Sequence, residues 1–190
     1  MMNRTAIMQA LKSSITDEIV VASFTCAFDW LAQGERALNY FSYGAMGLGS
    51  SHGLGLALAR PERKVVVLEG DGSLLMNLGT LVTIAAQAPR NLVLFNFQNN
   101  TYEANGGHPI PHGQVLDFPG IAYSSGIERA FSIDDIAELE RWLPEILRAD
   151  GPTFVTLHIE PGGGQPRRGY EQFYMEERRE ALRAELASAK

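Results

Sequence analysis

The chain has 190 residues, 45% of them hydrophobic and 20% charged, with a formal net charge of −6. That length supports one domain burying roughly 70% of its unfolded surface, so a core can form without disulfide or metal staples. The acidic balance and the lack of a Lys/Arg block exclude a nucleic-acid surface, and no apolar run approaches the ~20 residues that cross a bilayer. The first residues, MMNRTAIMQALKSSITDE, are polar and acidic where a signal peptide keeps an apolar block, which predicts a cytoplasmic protein. The single cysteine, Cys26, has no second thiol for a bridge or metal site and is expected as a small buried hydrophobe. Small molecules or another protein are the expected partners.

Taken in chain order, strand and helix patterns alternate. Arg4 to Leu11 reads as a helix and Glu18 to Ala22 (EIVVA) as a buried strand. A stretch of undecided type, with a turn at Gln33-Gly34, leads to a glycine-rich segment from Gly44 to Gly55 and the small-residue helix LGLALA. Lys64 to Leu68 (KVVVL) is a second apolar strand, Leu74 to Gln87 a helix ended before Pro89, and Asn91 to Phe97 a third strand. Residues 98–117 read as loop. Ser132 is expected to start a helix, with Asp135 three residues on as a capping-box-like signal and Ile136, Leu139, Trp142, Leu143, Ile146 and Leu147 at helical spacing. Thr153 to Ile159 is the last strand. Such alternation predicts an α/β fold, a three-layer α/β/α arrangement around a mostly parallel sheet. Residues 1–165 would form this domain. The run GGGQPRR reads as a linker, and 166–190 as a charged helix packing on the domain, or on a neighbouring subunit through Tyr170, Phe173 and Tyr174.

Ligands in such sheets collect at the carboxyl ends of the strands, where two segments carry chemistry. GDGS at Gly70–Ser73 follows the second strand, and Asn99-Asn100 follows the third. Gly70 and Gly72 permit a tight turn against phosphate, Ser73 can donate at a helix start, and Asp71 offers a hard oxygen ligand. Asn99 would add an amide oxygen and Thr101 its carbonyl, a set suited to Mg2+ shared with a diphosphate. Together they point to thiamine diphosphate. His108 and His112, with Glu103, populate the following loop as candidates to face substrate, the histidines relaying a proton. His52 and His158 read as packing residues.

GAMG at Gly44–Gly47, GLGLALA at Gly53–Ala59, GDGSLLMNLG at Gly70–Gly79 and NNTYEANGGHP at Asn99–Pro109 together resemble the diphosphate-binding half of thiamine-diphosphate enzymes. The type is that of the sulfopyruvate and phosphonopyruvate decarboxylases. The resemblance implies that the Gly44 carbonyl accepts from the cofactor's 4′-amino group, that Met46 wedges its V-shaped conformation, and that Ala45 and Tyr102 also line the cofactor. In that family the glutamate that activates the pyrimidine comes from a separate pyrimidine-binding domain, for which 190 residues leave no room. A separate alpha-type pyrimidine-binding subunit, in a homodimer or hetero-oligomer, is therefore expected. The implied activity is that of a subunit of a Mg2+-dependent decarboxylase acting on a small 2-oxo acid. Alternatives are a subunit of an acetolactate-synthase-like carboligase and a non-catalytic cofactor-binding module. A dinucleotide fold is disfavoured, since no G-x-G-x-x-G follows the first strand.

Overall fold

A computed structural model describes residues 1–162, 169–173 and 175–188. Most of the GGGQPRR run, and Tyr174, lie outside the described residues. The strands are β1 (Ile19–Ser23), β2 (Asn39–Ser42), β3 (Val65–Gly70), β4 (Leu92–Gln98), β5 (Thr101–Tyr102), β6 (His108–Pro109), β7 (Arg129–Ile133) and β8 (Thr153–His158). Six of them form one sheet in the order β2-β1-β3-β4-β8-β7, every neighbouring pair parallel. β5 and β6 form a separate antiparallel pair. The helices are α1 (Arg4–Ser14), α2 (Phe24–Leu31), α3 (Gly49–Ala59), α4 (Asp71–Leu75), α5 (Gly79–Gln87), α6 (Phe118–Ser124), α7 (Ile136–Arg148) and α8 (Glu176–Ser188).

Successive strand side chains point to opposite faces, and both faces are covered, which is why the strands read as continuous apolar runs. Val20, Val66, Leu68 and Phe95 pack with α1, α2 and α7 through Met8, Trp30 and Leu143. Val21, Val65, Val67 and Leu94 pack with α3, α5 and α6 through Leu54, Leu81 and Phe118. The α/β/α sandwich expected from the sequence is the one observed. Among the described residues, no helix is long and apolar enough to cross a membrane.

Small residues set how closely α3 approaches the sheet. A Cβ at Gly53 would lie 2.2 Å from Val67 Cγ2, inside van der Waals contact. Gly53→Ala is expected to cost about 1–3 kcal/mol by forcing α3 off β3. Urea denaturation would read this, and an unchanged midpoint would mean that the helix can shift freely.

Four local expectations are corrected. The undecided stretch contains α2 and β2. The helix expected over Leu74–Gln87 begins earlier, at Asp71, and breaks between Leu75 and Gly79 into α4 and α5. Ser132 lies in strand β7, paired with Thr156 of β8, and Asp135 itself caps α7 by accepting from Glu138 N at 3.0 Å. The loop after β4 contains the β5–β6 hairpin.

The carboxyl-terminal segment folds against α2 and β2. Phe173 is buried with its ring centroid 4.7 Å from that of Phe28 and 4.9 Å from that of Phe41. Arg178 pairs with Glu35 and lies over the Phe41 ring, and Leu182 of α8 is buried.

Candidate functional site

The chain leaves β1 toward β2 on one side and later returns to β3 on the other, so the strand order reverses between β1 and β3. Open parallel sheets bind ligands at the carboxyl ends beside such a reversal. A cavity lies there, lined by Ser23 at the end of β1 and Phe24 beyond it, Asp71 and Gly72 after β3, and Asn99 and Thr101 after β4. Phe24 adopts φ 45°, a left-handed conformation that a non-glycine residue holds at a cost of about 1–2 kcal/mol.

Asp71 is the centre of this site. It is 1% exposed. Its Oδ2 accepts from Asn100 N at 2.6 Å and Asn99 N at 3.1 Å, and its Oδ1 accepts from Gly72 N at 2.8 Å. Burial pushes its pKa up to about 6, with the backbone donors of Asn100, Gly72 and Asn99 working against that rise. The carboxylate and the Asn99-Asn100 turn are therefore joined directly. Gly72 leaves no room for a side chain, because a Cβ there would lie 2.6 Å from Tyr102 Cδ1.

Asn99 has a fixed amide. Its Oδ1 accepts from Thr101 N at 3.0 Å and Thr101 Oγ1 at 3.2 Å, while its Nδ2 donates to Glu103 Oε2 at 2.9 Å. Asn100 sits at φ 62°, and its carbonyl accepts from Ile110 N at 3.0 Å, closing the neck of the loop. Beyond the neck, Gly107 N donates to Tyr102 O at 3.0 Å. His108, Pro109 and His112 are exposed, and the cavity is lined instead by Tyr102, Glu103 and Ala104 from this loop.

Met46 lines the cavity, whereas Gly44 and Ala45 are exposed next to it. Gly44 and Gly47 adopt φ 97° and 83°, conformations that glycine takes without steric cost. The loop is fastened from below: Gly47 N donates to Ser73 Oγ at 2.9 Å and Asn77 Nδ2 donates to the Gly47 carbonyl at 2.9 Å. Ser73 Oγ in turn donates to Glu69 Oε1 at 2.7 Å. The Ser73 hydroxyl, expected to be available at a helix start, is thus committed within the protein.

Two charged residues at the site, Glu69 and Arg4, were not singled out from the sequence. Glu69, 3% exposed, accepts from Gly49 N at 3.3 Å, Ser50 N at 3.1 Å, the Ser50 hydroxyl and Ser73 Oγ, so one carboxylate holds the start of α3 to GDGS. An acid placed directly before GDGS was its only signal. Arg4 reaches the cavity from α1, bonded to Glu103 and lying 3.4 Å from Asp29 Oδ2. Burial opposes its charge, but the bond to Glu103 and the surrounding charges outweigh this, and its pKa stands above the ordinary value. Cys26 is buried in α2, and burial raises its thiol pKa. His52 is a packing residue, its Nδ1 2.9 Å from Ser42 Oγ and its ring edge-on to Tyr40. His158 lies in β8, paired with Gln98 of β4.

The fold agrees with one family. The chain belongs to the thiamine pyrophosphate enzymes, matching the C-terminal TPP binding domain over residues 21–157. It is 36% identical to the sulfopyruvate decarboxylase subunit beta of Methanothermobacter thermautotrophicus over 163 residues, which cover 85% of this chain and 84% of that subunit. It is 35% identical to the phosphonopyruvate decarboxylase of Streptomyces viridochromogenes, covering 84% of this chain but only 40% of that enzyme. Among solved structures, the 4-hydroxybenzoylformate decarboxylase of Rhodococcus jostii shares the fold at a TM-score of 0.73 and 20% identity, over 86% of this chain and 33% of that one.

Proposed function

We propose that this chain is the diphosphate-binding subunit of a thiamine-diphosphate-dependent decarboxylase of small 2-oxo acids, completed by a separate pyrimidine-binding subunit. The observation that carries the reading is the direct joining of the buried Asp71 carboxylate to the backbone of Asn99 and Asn100. It brings a buried carboxylate to the turn that carries the Asn99 amide, where β3 and β4 end. Such hard oxygen donors suit Mg2+, which usually keeps water and substrate phosphate as its other ligands. A buried carboxylate with a raised pKa is also a site that a cation stabilises. Among the described residues, no three His, Cys, Asp or Glu side chains cluster as a metal site, so the donors fit a cation carried in with a phosphate better than a zinc centre.

In this reading Asp71, Asn99 and the Thr101 carbonyl hold Mg2+, and the backbone from Gly70 to Ser73 meets the diphosphate. Met46 props the cofactor, with Gly44, Ala45 and Tyr102 beside it. Bound thiamine diphosphate supplies a nucleophilic carbon and a sink for the electrons released with carbon dioxide. The protein binds, orients and excludes water. His108 and His112 stand on the loop that a covering partner would bring over the site, and they are our candidates for moving a proton at the substrate. The match in length and identity to a subunit named beta supports an alpha-type partner.

The chain should be co-purified with a pyrimidine-binding chain and screened over 2-oxo acids. Carbon dioxide release that requires both thiamine diphosphate and Mg2+, with an aldehyde as product, is expected. Acyloin as the main product would replace decarboxylation by carboligation. Cofactor binding with no turnover of any 2-oxo acid would overturn the enzymatic reading.

A further inference from the structure

Arg4 is the first residue of α1, yet its side chain is 3% exposed and it reaches a residue 99 positions away. Its Nη2 donates to Glu103 Oε2, and its Nη1 lies 3.4 Å from Asp29 Oδ2 on α2. The same Glu103 oxygen accepts from Asn99 Nδ2 at 2.9 Å. The other end of that amide, Oδ1, faces the N–H and hydroxyl of Thr101. An amide has one accepting end and one donating end. Turned over, it would set its oxygen against a carboxylate and its NH2 against the Thr101 N–H, so this orientation is the well-satisfied one.

We propose that Arg4 and Glu103 are positioning residues: Arg4 holds the Glu103 carboxylate, and Glu103 fixes the Asn99 amide with its oxygen toward the cation. This rests on the reading of Asn99 as a Mg2+ ligand given above. A buried ion pair contributes little net stability, because desolvation cancels most of its attraction. Its effect here is geometric. Without Glu103, the NH2 end loses its acceptor and only the Thr101 donors oppose a flip that would present N–H groups to a cation that requires oxygen. The N-terminal helix is thereby a working part of the cation site, although it lies outside the span matched by the family model.

The test titrates Mg2+ at fixed thiamine diphosphate against the full-length chain with its co-purified partner, and follows cofactor binding by calorimetry. Glu103→Gln and Arg4→Met are each expected to raise the Mg2+ concentration for half-saturation about 10–100-fold, the usual effect of losing a partner behind a metal ligand. Arg4→Lys should recover part of the loss. Since Arg4 acts through Glu103, the double variant should be no worse than the poorer single one. A purely structural role would lower the melting temperature and leave the Mg2+ curve in place. Should Arg4→Met fail to fold, Glu103→Gln carries the test alone, its residue being only partly buried. The wild-type titration separates two kinds of failure. No Mg2+ dependence in the wild type overturns the cofactor reading, whereas a normal wild-type curve with unshifted variant curves overturns the positioning role alone.

Discussion

Titrating the Asp71→Ala chain, with its partner, with thiamine diphosphate and Mg2+ is expected to show no cation-dependent binding. The loss should exceed the ~10–100-fold that follows removal of a residue behind a ligand, because the only carboxylate we assign to the cation is gone. The variant also strands Asn99 N and Asn100 N, which donate to Asp71 Oδ2, so the turn carrying the second ligand loosens too. Asn99→Ala separates these effects. It deletes the amide oxygen while both backbone N–H groups keep their acceptor, and it should weaken Mg2+ dependence with a smaller fall in melting temperature. Unchanged affinity in both variants would remove the basis for the cation site.

Glu69→Ala is the substitution expected to cost most in stability. Four donors converge on this carboxylate: Gly49 N, Ser50 N, Ser50 Oγ and Ser73 Oγ. A buried polar group left without a partner costs about 1–3 kcal/mol, so a loss above about 3 kcal/mol should appear as a lower urea midpoint. Glu69→Gln keeps the shape but turns an NH2 toward donors, and should lose most of the same stability. The damage extends to the cofactor loop, since Ser73 Oγ also accepts from Gly47 N at 2.9 Å. Both variants should therefore weaken thiamine diphosphate binding even at temperatures where they remain folded. A midpoint within 1 kcal/mol of wild type, taken as about the smallest single-group penalty, would mean that water replaces the lost acceptor.

Where a residue's partner lies close in sequence, or its pattern is periodic, the structure was legible beforehand. The continuous apolar runs at Val65–Leu68 and Leu92–Phe95 demanded a doubly covered parallel sheet, and GDGS with Asn99 marked the edge where the cavity lies. α2 escaped because FTCAFDWL buries five consecutive residues, Cys26 to Trp30, leaving no polar face to set a helical period. β7 escaped because Ser132 and Asp135 mimic a helix start; Asp135 is a true cap, but Ser132 belongs to an edge strand recognisable only from its pairing with β8. Arg4 and Glu69 escaped for a third reason. Their partners are 99 residues away for Arg4, and 19 or 20 for Glu69 at the start of α3, and no local spacing encodes such contacts.

The loop beyond Asn100 is knotted at its base by Ile110 and again by Gly107, while residues 105–109 stand out in solvent. Its wrist is bonded at two levels and its fingertip faces solvent. In the reading proposed above, new tips could therefore be grafted or selected without unseating Asp71 or Asn99, so that the grip on the coenzyme and the outer rim of the site would vary separately.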